Sequence, residues 1–195
     1  SMLYEDTGYC AVKIVKSGLN LDFSKITSFC NLSKTKEKKQ KNNTTQNNIY
    51  NLFRTKNNII NLTYCNPDLV KFLTLTIHEN TKYTRDTKYT NELFRKFIMR
   101  LKYKINKDVK YLSVPEYQKR GVVHYHILSD IPYIKKNDLT NLWGYGFIHI
   151  RRTDVIKNCG LYISKYITKD LIQRNYRQKK YLRSANLETP EIIYN

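Results

Sequence analysis

The residues of this chain with the clearest chemical potential are a glutamate and two histidines within YLSVPEYQKRGVVHYHIL, residues 111–128. Alternate residues of a β-strand face the same side, so His124 and His126 point together while Tyr125 points away. If the Lys-Arg-Gly segment forms a three-residue turn, Glu116 lies directly opposite His124, with Cβ atoms about 5 Å apart. Two imidazoles and a carboxylate suit Mn²⁺, Zn²⁺, Ni²⁺ or Co²⁺, tolerate Mg²⁺, and leave coordination positions open for a substrate.

These residues also have a simpler interpretation, in which two surface histidines lie beside a surface glutamate and bind no metal. The other two histidines of the chain are weaker candidates for a metal site. His78 ends the predicted strand FLTLTIH, where we expect it to cap the strand or to contact substrate. His149 alternates with apolar residues, and we expect it to be structural within a packed strand.

A second chemical motif is GLYISKYITKD, residues 160–170. Tyr162 and Tyr166 are four residues apart and would share one helix face, and Lys165 and Lys169 repeat the same spacing. A phenol with a pKa of about 10 is a poor nucleophile at neutral pH, but a nearby cation or base can activate it. A lysine can also hold a phosphate, and a metal can polarise it. The alternative is an amphipathic helix with its tyrosines toward the core.

The charge balance indicates a polyanionic partner. The 195 residues include 35 Lys and Arg against 16 Asp and Glu, a net charge of +19, which favours nucleic acid over an acidic membrane surface. Codon bias of an AT-rich genome would account for part of this excess. The four cysteines form no CxxC pair, which argues against a zinc ribbon and a disulfide framework. No apolar run approaches the roughly 20 residues of a membrane span, so we expect a cytoplasmic protein of a bacterial host.

The elements that must position these residues follow from hydrophobic periodicity. We predict strands at 70–78, 109–117, 122–129 and 146–152, and helices at 91–104, 134–143 and 154–173, the last with Thr153 as its N-cap. Strands interleaved with helices, with hairpins among them, predict an α+β fold with an antiparallel sheet and flanking helices.

The same survey divides the chain into four parts. We predict N-terminal strands of the domain in residues 1–30, a polar Lys/Asn-rich insertion or linker in 31–66, the core in 67–175, and a basic tail in 176–195. Residues 31–58 are too polar to bury and would form an exposed helix, a long loop or a mobile insertion.

Residues 70–170 resemble the HUH endonuclease family, the single-strand nicking enzymes of rolling-circle replication. Three motifs occur in the family's usual order: FLTLTIH, then EYQKRGVVHYHIL with His124 and His126 as the HUH pair, then GLYISKYITKD. The paired tyrosines are similar to those of replication initiators of the microvirus and small-plasmid type.

This resemblance implies a five-stranded antiparallel sheet of the ferredoxin-like or RNA-recognition-motif kind, with Mg²⁺ or Mn²⁺ held by Glu116, His124 and His126. It implies single-stranded DNA at a replication origin as substrate, and a host helicase and polymerase as further partners. Attack by Tyr162 or Tyr166 would leave a 5′-phosphotyrosine and a free 3′-hydroxyl. We rank Tyr162 first, with Lys165 as its partner.

Three alternatives stay open at this point. A transposase of the insertion-sequence type shares the HUH pair but uses one tyrosine. A small-plasmid initiator uses one tyrosine and a glutamate. A non-catalytic basic module would stack bases on its tyrosines. In each case the expected DNA contacts are basic residues near the two motifs, namely Arg120, Arg151, Arg152, Lys165 and Lys169.

Overall fold

The computed structural model describes residues 12–13, 42–79, 84–119, 121–154, 156, 158–175 and 178–192. Its strands are β1 (Val12–Lys13), β2 (Lys71–Leu75), β3 (Tyr111–Tyr117), β4 (Val123–Ser129), β5 (Ile148–Arg152), β6 (Leu182–Arg183) and β7 (Glu191–Ile192). Its helices are α1 (Asn42–Cys65), α2 (Thr87–Ile105), α3 (Lys136–Trp143), α4 (Cys159–Ser164) and α5 (Lys169–Arg174).

The main sheet has five strands in the order β5-β2-β4-β3-β6, and every neighbouring pair is antiparallel. This confirms the predicted α+β class with a five-stranded antiparallel sheet. The hairpin between β3 and β4 also closes as predicted, because the Gln118 amide donates to the Val122 carbonyl at 2.9 Å. Gly121 supplies the positive φ of +88° that the turn needs, and Glu116 pairs with His124 in the register.

Helices cover both faces of this sheet, and alternate strand residues therefore enter two different cores. One core joins α2 and α3 to residues such as Leu73, Ile127 and Ile148. Tyr125, predicted to point away from the histidine pair, is fully buried there and donates a hydrogen bond to Thr90 Oγ1 at 2.9 Å. The second core joins α1, α4 and α5 to the opposite face, at Phe72, Leu112, Val114 and Leu128.

The single helix predicted over residues 154–173 is wrong, since α4 and α5 are separate and a turn lies between them. Two polar side chains explain the break. The side chain of Asn158, not Thr153, accepts the hydrogen bond from the Leu161 amide and so begins α4. Thr168 Oγ1 accepts from the Leu171 amide at 3.1 Å and begins α5. Thr153 is instead buried, and its hydroxyl faces the Leu69 carbonyl just before β2.

The polar stretch before the sheet contains the long helix α1 in its described part. Among the three forms expected for that stretch, the structure has a helix from Asn42 onward. Its last turns pack Ile59 and Leu62 into the second core, close beside α4. A Cβ at Gly160 of α4 would lie only 3.1 Å from Ile60 Cα, so glycine allows this close helix contact. The boundaries predicted for the four parts of the chain stay predictions.

The described residues contain no helix long and apolar enough to cross a membrane. In the N-terminal part, the structure describes only Val12 and Lys13, which pair with Ile192 and Glu191 as a separate two-stranded sheet. Any other strands predicted within residues 1–30 lie outside the described residues.

Gly146 determines how closely the segment before β5 can approach the end of β2, and replacing it tests this contact. A Cβ at this position would lie 2.1 Å from the carbonyl oxygen of Thr76, which accepts the indole N–H of Trp143. We therefore expect Gly146→Ala to lower the free energy of unfolding by about 1–3 kcal/mol. Urea denaturation followed by circular dichroism measures this loss. Asn141→Ala, on the exposed side of α3, should change it by less than about 0.5 kcal/mol, and equal values for both variants would contradict the prediction.

Candidate active site

The glutamate and the two histidines lie on the sheet face that carries α1, α4 and α5. Glu116 of β3 has the same strand parity as Val114 of the second core, and it pairs with His124 across β3 and β4. On the other side of β4, His126 pairs with Thr74 of β2. Both histidines are buried, at 8% and 5% exposure, so this is not a surface cluster.

A direct contact joins Glu116 to His126. The Glu116 Oε2 and His126 Nε2 atoms are 2.7 Å apart, and Thr74 Oγ1 lies 3.3 Å from His126 Nδ1. The contact with His126, and the positive charge of both histidines and Lys165, lower the pKa of Glu116. Burial lowers the pKa of His126, although the glutamate opposes this effect. Near neutral pH the pair is therefore a carboxylate and a neutral imidazole, which are the forms that ligate metals.

This pair fits a divalent cation by its donor chemistry and spacing. Ligand atoms that each bind an ion at about 2.0–2.1 Å lie roughly 3 Å apart, close to the observed 2.7 Å. Within the ranges that the structure describes, no group of three or more His, Cys, Asp or Glu residues is arranged as a metal site. His124 is opposite Glu116 in the register but has not joined the pair in such a group.

Two tyrosines from the α4 region cover this pair. The Tyr166 ring stacks on the His126 ring, with centroids 3.4 Å apart and planes 10° from parallel. The Tyr166 hydroxyl donates to the Tyr162 hydroxyl at 3.5 Å. Tyr162 lies in α4, whereas Tyr166 lies in the turn that follows, yet the two rings stay on one side as their spacing predicts. Both phenols are therefore next to the glutamate–histidine pair.

Arg151 of β5 is the residue whose place in the site the sequence did not indicate. We predicted it as a DNA contact at a strand end, but its guanidinium donates to the Tyr162 hydroxyl. It also lies over two rings, 4.8 Å from the centroid of Tyr162 and 5.0 Å from that of Phe72. Its buried Nε–H has no hydrogen-bond partner among the described residues. An anionic oxygen of a substrate could accept this donor.

The surroundings make the two phenols chemically different. Hydrogen bonds from Tyr166, Arg151 and Lys165 lower the pKa of Tyr162 against a small opposing effect of burial. Burial raises the pKa of Tyr166 well above its usual value, and the bond it donates to Tyr162 and the charge of Glu116 raise it further. Tyr162 is thus the phenol that loses its proton more readily, and Tyr166 is the one that keeps it.

The other predicted contact residues are distributed around this cluster. Lys165 Nζ lies 3.8 Å from the centroid of the Tyr162 ring and 4.9 Å from that of Tyr166, whereas Lys169 is exposed at the start of α5. Arg152 forms an ion pair with Asp154 at 2.7 Å, and strand alternation places it on the opposite face from Arg151. Arg120 lies outside the described residues.

The structure corrects the interpretation of His149, which was expected inside a packed strand. Ile148 and Ile150 of β5 pack toward the first core, so His149 between them points to the site face and is exposed. It pairs with Thr74, the residue that also pairs with His126. The exposure follows because β5 is an edge strand. His78 lies farther along this face, where its ring contacts Phe147.

The assembled cluster unites an acidic and imidazole pair, an activated phenol and an arginine with an unused donor. A phenol oxygen beside cationic groups can attack an electrophilic centre, and the buried donor can stabilise the negative charge that develops. A phosphate ester fits both features, and the positive charge of the chain suits a phosphodiester polymer.

Comparison with known proteins gave one family match. A family model described as Replication-associated protein, of the ORF2 type, matches residues 70–171, more than half of the chain. The matched range begins at the residue before β2 and ends in α5, so it includes every residue of the cluster described above. Searches of curated proteins and of solved structures found no match.

Proposed function

Since this chain belongs to the Replication-associated protein family of the ORF2 type, we propose that it initiates replication by nicking and rejoining single-stranded DNA as an HUH endonuclease. Its DNA partner follows from the replication role, and the proposal adds the chemistry. The observation that carries it is the contact of two tyrosines with a buried glutamate–histidine pair on one sheet face.

The proposed reaction begins at the Tyr162 hydroxyl, which Arg151 and Tyr166 hold by hydrogen bonds. Its oxygen attacks the phosphorus of a phosphodiester, and the bond from phosphorus to the 3′-oxygen breaks. The products are a 5′-phosphotyrosine and a DNA 3′-hydroxyl. The phenol loses one proton and the 3′-oxygen gains one, so no other reagent is consumed. The unused Nε–H of Arg151 and the ammonium of Lys165 are available to a phosphate oxygen at this place.

Glu116, His124 and His126 would hold the divalent cation, Mg²⁺ or Mn²⁺. When bound, such an ion supplies Lewis-acid polarisation of the scissile phosphate. The protein's own contribution is orientation: Thr74 contacts Nδ1 of His126, which directs Nε2 toward Glu116. The Tyr166 ring covers the His126 imidazole and limits the access of water to it.

The two tyrosines suggest a division of labour within this proposal. Tyr162 cleaves first because its hydroxyl accepts three hydrogen bonds and is the easier to ionise. Tyr166, 3.5 Å away, is close enough to attack the next phosphodiester while the first strand stays attached to Tyr162. Such a second attack would permit release of a joined circle at termination. A polymerase and a helicase of the host would act on the free 3′-hydroxyl.

The experiment that tests this function incubates the protein with Mn²⁺ and a pooled single-stranded DNA library. We expect protein–DNA adducts that resist denaturation and that disappear with EDTA. Peptide mapping of the adduct should find the nucleotide on Tyr162 or Tyr166. Tight, salt-sensitive binding with no adduct on any sequence would instead support the non-catalytic binding module.

Arg151→Met tests the proposed activation of Tyr162. It removes a charge-assisted hydrogen bond, so we expect adduct formation at saturating DNA to slow by about 10- to 100-fold, with a smaller change in Kd. Arg151→Lys should restore part of the rate. Arg152→Met removes the same charge from the opposite face and should affect Kd alone. Equal rate losses in the Arg151 and Arg152 methionine variants, measured by single-turnover kinetics, would contradict a specific role for Arg151.

A further inference from the structure

The most unusual exposed side chain of the described sheet region is Phe147, immediately before β5. Its exposure is 67%, and it extends the edge strand of the main sheet, not a helix surface. Its amide donates to Thr76 Oγ1 at 3.0 Å, and its carbonyl accepts from the Thr76 amide at 2.9 Å, so the backbone that carries it is held firmly against the end of β2. An exposed ring on a fixed backbone is ready for contact with a planar partner.

Strand alternation determines the face to which this ring points. Ile148 packs into the first core, so Phe147 before it points to the opposite face, the face of the candidate active site. His78 extends beyond β2 toward the same place, and the His78 and Phe147 rings meet edge to face with centroids 4.8 Å apart. The two residues, named here the aromatic pair, form an exposed surface at the edge of the site face.

The aromatic pair is continuous with the site. Arg151 follows Phe147 by four residues along the β5 direction, which corresponds to about 13 Å of strand. Arg151 contacts the Tyr162 hydroxyl, so a chain that crosses this face passes from the pair to the nucleophile within that distance. The exposed His149 lies between the two positions on the same face.

We propose that the aromatic pair of Phe147 and His78 is a stacking subsite for an unpaired base of the DNA strand, a short distance from the scissile phosphate. This proposal rests on the proposed function and names one element of its substrate binding. Every base has a flat π face, so stacking on a phenyl ring needs no particular sequence. The bases of a duplex are already stacked on each other, so this surface suits a single strand. The net charge of +19 and the cationic Arg151 and Lys165 at the far end of the path favour a polyanion over an apolar protein partner.

The test is the affinity of Phe147→Ala for a fluorescein-labelled oligo(dT), measured by fluorescence anisotropy at low salt. The loss of one stacked base should raise Kd by about 5- to 150-fold. Phe147→Trp should retain affinity, because the larger ring still stacks. Tyr103→Ala is the matched control: its side chain is 91% exposed on α2, which packs against the other face, and it should bind like the wild type.

Duplex DNA of the same length provides the second comparison, and Phe147→Ala should bind it as the wild type does. The inference is overturned if oligo(dT) affinity is unchanged, if Tyr103→Ala weakens binding equally, or if duplex binding falls in parallel. These measurements need no cleavage. Adducts with unchanged affinity of Phe147→Ala would therefore overturn the subsite alone. Weakened oligo(dT) binding in a protein that forms no adduct would overturn the nicking function alone.

Discussion

Tyr162→Phe is expected to abolish the covalent protein–DNA adduct while the affinity for single-stranded DNA stays within about twofold. The substitution removes only the attacking oxygen, since the ring that contacts Phe72 and Arg151 is retained. Removal of a nucleophile from a concerted site lowers the rate by at least about 10³-fold. Denaturing gel electrophoresis of Mn²⁺ reactions measures the adduct, and anisotropy measures the affinity.

Tyr166→Phe is the matched variant because it removes the neighbouring hydroxyl, 3.5 Å away. It deletes one neutral hydrogen bond to the nucleophile, so we expect the first cleavage to slow by only about 2- to 10-fold. The joining of a second strand should be lost. The opposite pattern, with adducts kept in Tyr162→Phe and lost in Tyr166→Phe, would contradict the assignment of Tyr162 as the first nucleophile. It would leave the nicking function itself intact.

His126→Ala is expected to lower adduct formation by about 10³-fold and to weaken Mn²⁺ binding. The imidazole is the proposed metal ligand in direct contact with Glu116, and Lewis-acid polarisation contributes several kcal/mol, at about 1.36 kcal/mol per tenfold. Titration calorimetry with Mn²⁺ measures the binding without any DNA. The loss should therefore appear in two independent measurements.

His149→Ala is the control for this variant, since the exposed His149 pairs with the same Thr74 from the other side and does not contact Glu116 in the structure. It should bind Mn²⁺ as the wild type does. The proposed metal site is wrong if both histidine variants bind Mn²⁺ equally. If His126→Ala slows cleavage with Mn²⁺ affinity unchanged, the Glu116–His126 pair acts by positioning Tyr166 and not by holding the ion.

The two tyrosines show why position in the tertiary structure, and not motif order, distinguishes them. Both occupy equivalent places in the repeated Tyr-x-x-Lys pattern. Arg151 reaches only the first hydroxyl, and the imidazole of His126 covers only the second ring. A hydrogen bond from a cation stabilises a phenolate, whereas burial beside a carboxylate disfavours it. The asymmetry that supports Tyr162 as the nucleophile therefore comes from β4 and β5.

The sequence by itself determined the parts of the site that depend on local spacing. The period of two along β4 places His124 and His126 on one face, and the turn before it sets Glu116 opposite His124. The separation of four residues brings Tyr162 and Tyr166 together even though the helix ends between them. Hydrophobic alternation likewise predicted the strands of the sheet, because each of them must bury a face.

The tertiary structure decided what depends on strand order and on chain segments far apart in the sequence. Arg151 joins Tyr162 because β5 pairs with β2, and no local pattern contains that information. The break between α4 and α5 depends on Asn158 and Thr168, whose side chains replace backbone partners that periodicity does not reveal. His149 is exposed because β5 forms the edge of the sheet. Contacts between neighbours in the sequence follow from spacing, while contacts across the sheet follow from the packing of the whole core.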